Sequence, residues 1–279
     1  MENHSNYSKD FIELVKKVNN SASKYGQYIG VGNPNAKILI IGKESAIDTK
    51  TEDGELQYEI EHLRNATDWL HNIKDNVALL DADKDELWKK VPHAPLNPSY
   101  PYRGQSFRIN NGHNYGTSRS WFDYQKIINN MDSISLNGER KRTICFHEYC
   151  FSTELSSVSA KYSKEADPIQ RKESIRVRTT ELLNLPFYQQ FPIVIVAAGH
   201  YPKELGIDLE KLFGVQWDGK TIDRKENEKL KRNWYNVHKG KQPKLLIHTN
   251  QLSMNITDEL LRLIAEVCDT FVEINNIKL

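Results

Sequence analysis

Two short stretches carry side chains able to do chemistry. In the first, Gly42-Lys43-Glu44-Ser45-Ala46 follows the apolar run at 37–41 (KILII), so a carboxylate and a hydroxyl stand just beyond what reads as a strand. Open α/β sheets place ligands at the carboxyl ends of their strands. Gly42 permits a tight turn there, and Glu44 offers a charge that can hold a water or offset a cationic intermediate. The second stretch, His248-Thr249-Asn250-Gln251-Leu252-Ser253, begins as another apolar run ends. A histidine at such an edge can donate a hydrogen bond to a developing anion, while Asn250, Gln251 and Ser253 suit phosphate oxygens. Leu252 is apolar in a polar loop. It reads either as a buried anchor for the helix that follows or as a wedge for a stack of bases.

A third feature concerns a partner. Residues 220–244 hold nine Lys and Arg, among them Lys229, Lys231 and Arg232, interleaved with Trp234 and Tyr235. Cations with aromatic side chains suit phosphate neutralisation and stacking on bases. With Glu226 and Glu228 interspersed, the same stretch also reads as a solvated helix laced with charge pairs.

The elements that must position these groups are strands covered on both faces. Nearly continuous β-branched or aliphatic runs occur at 37–42, 142–147, 192–198, 244–249 and 270–274, the pattern of a mainly parallel sheet. Helical spacing precedes the first run (Phe11, Leu14, Val15 and Val18, with Ser8 as cap). It recurs at Leu260, Leu261, Ile264, Val267 and Cys268 after Thr257 or Asp258. Alternation of strand and helix predicts an α/β three-layer sandwich around a central, mainly parallel β-sheet. About a hundred residues separate the first two strands. Helical stretches are expected at 58–73, 83–90 and 118–131, and an irregular segment with four prolines at 91–104. The chain therefore reads as one domain over residues 1–279 with a long insertion at about 45–115.

The totals narrow the class. With 279 residues, 27% charged and a net charge of +1, no global field draws the protein to nucleic acid, so a DNA-binding surface must be a local patch. No run approaches the roughly 18 apolar residues of a membrane span, and the N-terminus lacks the pattern of a signal peptide. We expect a cytoplasmic protein with no membrane partner and no obligate protein partner. The cysteines, Cys145, Cys150 and Cys268, form no C-x-x-C pair and read as buried thiols.

Taken together, the two stretches resemble the motifs of the uracil-DNA glycosylase superfamily. Its first motif, of the type G-Q-D-P-Y or G-M-N-P-G, corresponds to G-K-E-S-A at Gly42 to Ala46. Its second, of the type H-P-S-P-L-S, corresponds to H-T-N-Q-L-S at His248 to Ser253. The lead-in from Asn33 to Gly42 is similar as well, and the likeness covers roughly residues 25–275. The resemblance implies a DNA glycosylase that flips a base and hydrolyses its N-glycosidic bond without metal or cofactor. Glu44 would position the water, His248 would stabilise the departing base, and Leu252 would fill the gap, with Asn250, Gln251 and Ser253 on the backbone.

Departures from the family bear on the base. Ser45 and Ala46 replace a proline and a pocket-shielding tyrosine, and the segment Cys145–Tyr149 lacks the asparagine that reads uracil. A base pocket from Gly42, Ser45, Ala46, Tyr58, His147 and Glu148 would admit a damaged or modified pyrimidine, including a bulky cytosine of phage DNA, which would make the protein a phage-defence enzyme. Tyr58, Phe107 and Tyr115 are candidate platforms for the base, and His200 is a further residue at a strand end. Two alternatives stand beside this one: a non-catalytic nucleic-acid-binding protein on the same fold, and a hydrolase of free nucleosides or nucleotides.

Overall fold

The computed structural model describes residues 6–21, 28–77, 97–100, 119–138, 144–253 and 255–279. In chain order these form α1 (Lys9–Asn19), β1 (Val31–Gly32), β2 (Ile38–Gly42), α2 (Glu52–Tyr58) and α3 (Asn65–Lys74). Next come α4 (Arg119–Asn130), β3 (Cys150–Glu154), α5 (Pro168–Val177), α6 (Pro186–Gln189) and β4 (Ile193–Val196). The rest are α7 (Tyr201–Glu204), α8 (Leu209–Phe213), β5 (Val215–Ile222), β6 (Tyr235–Gly240), β7 (Leu245–Thr249) and α9 (Asp258–Ile274). The chain falls into two compact units. One is Met1–Asn35, Gly42–Pro101 and Phe151–Gln190; the other is Ala36–Ile41, Tyr102–Cys150 and Phe191–Leu279.

The first unit is built on an aromatic core. Ser8 caps α1 by accepting from the Phe11 amide, and Phe11, Leu14, Val15 and Val18 form its buried face, as their spacing predicts. Phe11 packs edge-on to Trp69 at 4.9 Å and against Phe187 at 4.8 Å. Burying each such ring contributes about 1.5–3 kcal/mol. β1 and β3 pair antiparallel, Val31 opposite Ser152.

The second unit holds the parallel strands. β2 pairs with β4 and β4 with β7, all parallel, and Ile38–Ile41, Ile193–Val196 and Leu245–Ile247 are buried. That burial accounts for their unbroken apolar runs. β6 joins β7 antiparallel, and β5 joins β6 as an exposed strand. α9 buries Leu260, Leu261, Ile264, Ala265, Cys268 and Val272 in the same core. The architecture is α/β with a mixed sheet, parallel at its centre. Among the described residues no helix is long and apolar enough to cross a membrane.

Three expected elements differ. Residues 270–274, expected as a strand, are the last turns of α9: Val272 continues the helical face set by Ile264 and Cys268, and that packing overrides the weak β preference of Thr, Phe and Val. Within 142–147 the described part is not a strand. Gln125, fully buried on α4, accepts from the amides of Cys145 and Phe146 at 2.7 Å each. With those donors satisfied, the segment turns as a 3-10 helix at Phe146–Glu148, and the strand starts only at Cys150. Residues 220–244 are no helix; they form the β5–β6 hairpin and its loop, placing lysines on an exposed strand, where their charge opposes pairing with another chain. The expected helix at 83–90, most of the proline segment, and Phe107 and Tyr115 lie outside the described residues.

Candidate functional site

In the second unit, Ile41, Val196 and His248 stand opposite one another on β2, β4 and β7. Three parallel strands therefore end level. The outer two are about 10 Å apart, twice the strand spacing. His248 Nε2 lies 2.7 Å from the Gly199 carbonyl; a carbonyl only accepts, so Nε2 carries the proton. Gly199 takes a left-handed φ of 57° and donates its own amide to the Thr249 carbonyl, a conformation that a side chain would strain. Burial lowers the His248 pKa to about 4, against the raising effect of the Gly199 bond. The ring is neutral near pH 7.

Around it the chain is clamped. Asn250 Oδ1 accepts from the Trp234 amide at 2.7 Å, and Thr249 Oγ1 donates to the Trp234 carbonyl at 2.6 Å. The Trp234 ring meets His248 edge-on at 4.9 Å and stacks on exposed His200 at 5.4 Å. Asn250 thus fixes the neighbouring loop, and Gln251 and Ser253 are half-buried beside it. Leu252 is 1% exposed within the apolar core. It is the anchor of the loop before α9 and cannot reach into a base stack. That corrects the wedge assignment: the apolar side chain is held in the core, out of water.

The first unit gathers the other motif. After β2 the chain runs beside residues 155–160, with Leu155 and Ser156 amides donating to the Gly42 and Lys43 carbonyls at 2.9 and 2.8 Å. Glu44 Oε1 accepts from Ser163 Oγ at 2.5 Å. Ser45 Oγ bonds His62 Nε2 at 2.8 Å and makes a short contact with Ser159 Oγ. Ala46 is exposed. Tyr58 donates its hydroxyl to the Ser157 carbonyl at 2.9 Å and stacks on His62 at 5.0 Å; Tyr28 covers the same ring at 4.3 Å.

Two π-helical turns contribute His62 and Arg178: Glu59–Leu63 and Arg178–Leu182. Such turns insert one residue, shift the side chains out of helical phase and recur at functional sites. Arg178 is fully buried and donates to the carbonyls of Glu154 (2.9 Å) and Tyr28 (2.6 Å) and to Thr153 Oγ1 (2.8 Å). Burial, with the Arg178 charge adding to it, brings His62 down to about 3. Burial pushes Glu154 up to about 8; Arg178 opposes the rise and Glu44 adds to it. Near neutral pH Glu154 mostly keeps its proton and His62 is uncharged.

His147 and Glu148 lie in the 3-10 turn before β3. His147 is fully buried, 3.7 Å from Phe146 and 4.4 Å from Trp121 between ring centres, and the turn that holds both precedes β3, at the end opposite its carboxyl edge. The residue at that carboxyl edge is Glu154. Lys229, Lys231 and Arg232 line, with Arg224 and Glu228, an open depression of about 490 Å³ in the loop between β5 and β6.

Sequence reading missed Glu154, His62, Arg178, Ser159 and Ser163. Arg178 had a signal, since it continues the buried face of Ser174 and Ile175 towards Leu182. Glu154 would have followed from the correct strand. Nothing marked His62 apart from its neighbours. Among the described residues no three His, Cys, Asp or Glu side chains gather to hold a metal. No family model, curated protein or solved structure matches the chain.

Proposed function

We propose that the protein is a DNA glycosylase of the uracil-DNA glycosylase type, a three-layer α/β fold that hydrolyses the N-glycosidic bond of a modified pyrimidine. The observation that carries this reading is the level ending of β2, β4 and β7, with His248 next to the last residue of β7; along the chain, Glu44 follows the last residue of β2 by two. Breaking the bond leaves its electron pair on the base and a cationic sugar. Glu44, fixed by Ser163, accepts a proton from the water that attacks the sugar and offsets the cation. Neutral His248 exchanges the Gly199 carbonyl for the departing base as the partner of its Nε2 proton.

Burial of Leu252 favours a second reading, hydrolysis of free nucleosides or nucleotides, for which no wedge is needed. One assay separates them. Oligonucleotides carrying uracil, hypoxanthine or 5-substituted cytosines are incubated with the protein beside the matching nucleosides. Abasic sites in the oligonucleotides alone support the glycosylase. Base release from nucleosides alone supports the hydrolase, and release from neither overturns both.

A further inference from the structure

The β5–β6 loop concentrates charge that the whole molecule lacks. The chain carries a net charge of +1, yet the depression at this loop is lined by four cations, Arg224, Lys229, Lys231 and Arg232, against the single carboxylate of Glu228. Among the described residues, no ion pair within 4.0 Å forms with Arg224, Lys231 or Arg232, whereas nearby Lys220 is paired with Glu226 at 2.5 Å. Cations held close together without carboxylate partners repel one another, and an anion relieves that repulsion.

The loop is also fixed. Leu230 is fully buried, and Asn227 caps Lys229 with its Oδ1 while donating to Glu259 at 2.7 Å. Asn233, 4% exposed, donates to the Asn255 carbonyl and accepts from the Thr257 amide. Between these anchors Lys231 has a φ of 57°, a conformation that turns Lys231 and Arg232 outward, both exposed. Two residues beyond Arg232 stands Trp234, clamped at both its amide and its carbonyl, with the exposed His200 ring stacked on it at an interplanar angle of 20°. A fixed cationic surface thus leads directly to an accessible aromatic step.

We propose that this surface binds unpaired nucleic acid, with phosphates in the basic depression and one base stacked at the Trp234–His200 step. Stacking on an aromatic side chain requires a base already free of its neighbours, and a fixed basic groove tracks the backbone of a single strand. Leu252 is buried and so offers no wedge to open a duplex, which favours a single strand as the form the surface accepts. The inference deepens the nucleic-acid reading above by naming the strand state, and it is tested by binding, not by base excision.

Anisotropy of a labelled oligothymidylate of about 12 nucleotides, the size of one such site, should report saturable binding with quenching of tryptophan fluorescence. A duplex of the same length should bind at least about tenfold more weakly. Changing Lys229, Lys231 and Arg232 together to Glu should reduce affinity and lower the slope of log affinity against log salt by about 2, three contacts at the single-strand value. Trp234→Ala should weaken binding by about tenfold or more and leave that slope intact, with Trp234→Phe restoring most of it. If Trp234→Ala melts early, His200→Ala, at an exposed position, reads the same step. Equal binding of duplex and single strand, or full competition by polyphosphate with no effect of either aromatic substitution, overturns the proposal. Tight single-strand binding without base release would sustain it while removing the glycosylase; base release from free nucleosides without oligonucleotide binding would overturn it and favour the hydrolase.

Discussion

The surroundings of Glu44 and those of His248 solve the placement of polar groups in opposite ways. Around Glu44, side chains hold one another in a cluster: Ser163 on Glu44, His62 on Ser45, and Arg178 on the backbone carbonyls of Tyr28 and Glu154. Burial there keeps His62 uncharged and Glu154 protonated. Around His248, backbone clamps hold side chains that look outward, ending in exposed His200, Lys231 and Arg232. In the first region burial lowers the local dielectric, where a fixed charge acts strongly. The second presents cations and an aromatic ring to solvent.

The sharpest break of that contrast is at Arg178. Arg178→Ala leaves three buried acceptors without their donor, at about 1–3 kcal/mol each, so it should cost about 3–5 kcal/mol in urea unfolding. Replacing exposed Arg232 with Ala should change stability by less than about 0.5 kcal/mol. Equal effects would mean that Arg178 is not the centre of the first region. At the next level, Leu252→Ala should cost about 2–5 kcal/mol. It should reduce any excision from single and paired strands alike. A selective loss on duplex with an unchanged melting temperature would restore the wedge.

Acidity sharpens the same contrast. Glu154 folds with a pKa of about 8 against an ordinary 4.5, so above pH 4.5 the unfolded chain releases a proton that the folded one keeps. Its contribution to stability is present in full below that pH and is lost as pH rises through about 8. His62 and His248 work the other way: with folded pKa values of about 3 and about 4, they weaken the fold as pH falls below about 6.5. Glu154→Gln should flatten the decline between pH 5 and 8 by about 1–3 kcal/mol. An unchanged alkaline limb would show that the carboxyl is already ionised.

What the sequence disclosed follows from the range of the forces. The parallel strands were legible because burial on both faces writes unbroken apolar runs such as 38–41 and 193–196, and α1 was legible from its cap and period. β3 was displaced because a distant side chain, Gln125, takes over the amides of 145 and 146. α9 absorbed a β-rich run because its packing face continues through Val272. At the candidate site Glu44 and His248 were visible as strand-end residues. Glu154 and His62 were not, since their roles depend on contacts across a hundred residues of chain, such as Ser45 with Ser159.

The central claim is that Glu44 performs base excision. Its direct test is single-turnover release of a modified pyrimidine from a labelled oligonucleotide by the wild type and by Glu44→Gln, with binding measured on the same substrate. The account predicts excision slowed by about two orders of magnitude or more, the scale of losing one electrostatic stabiliser, and unchanged binding. Excision by Glu44→Gln at the wild-type rate would contradict it.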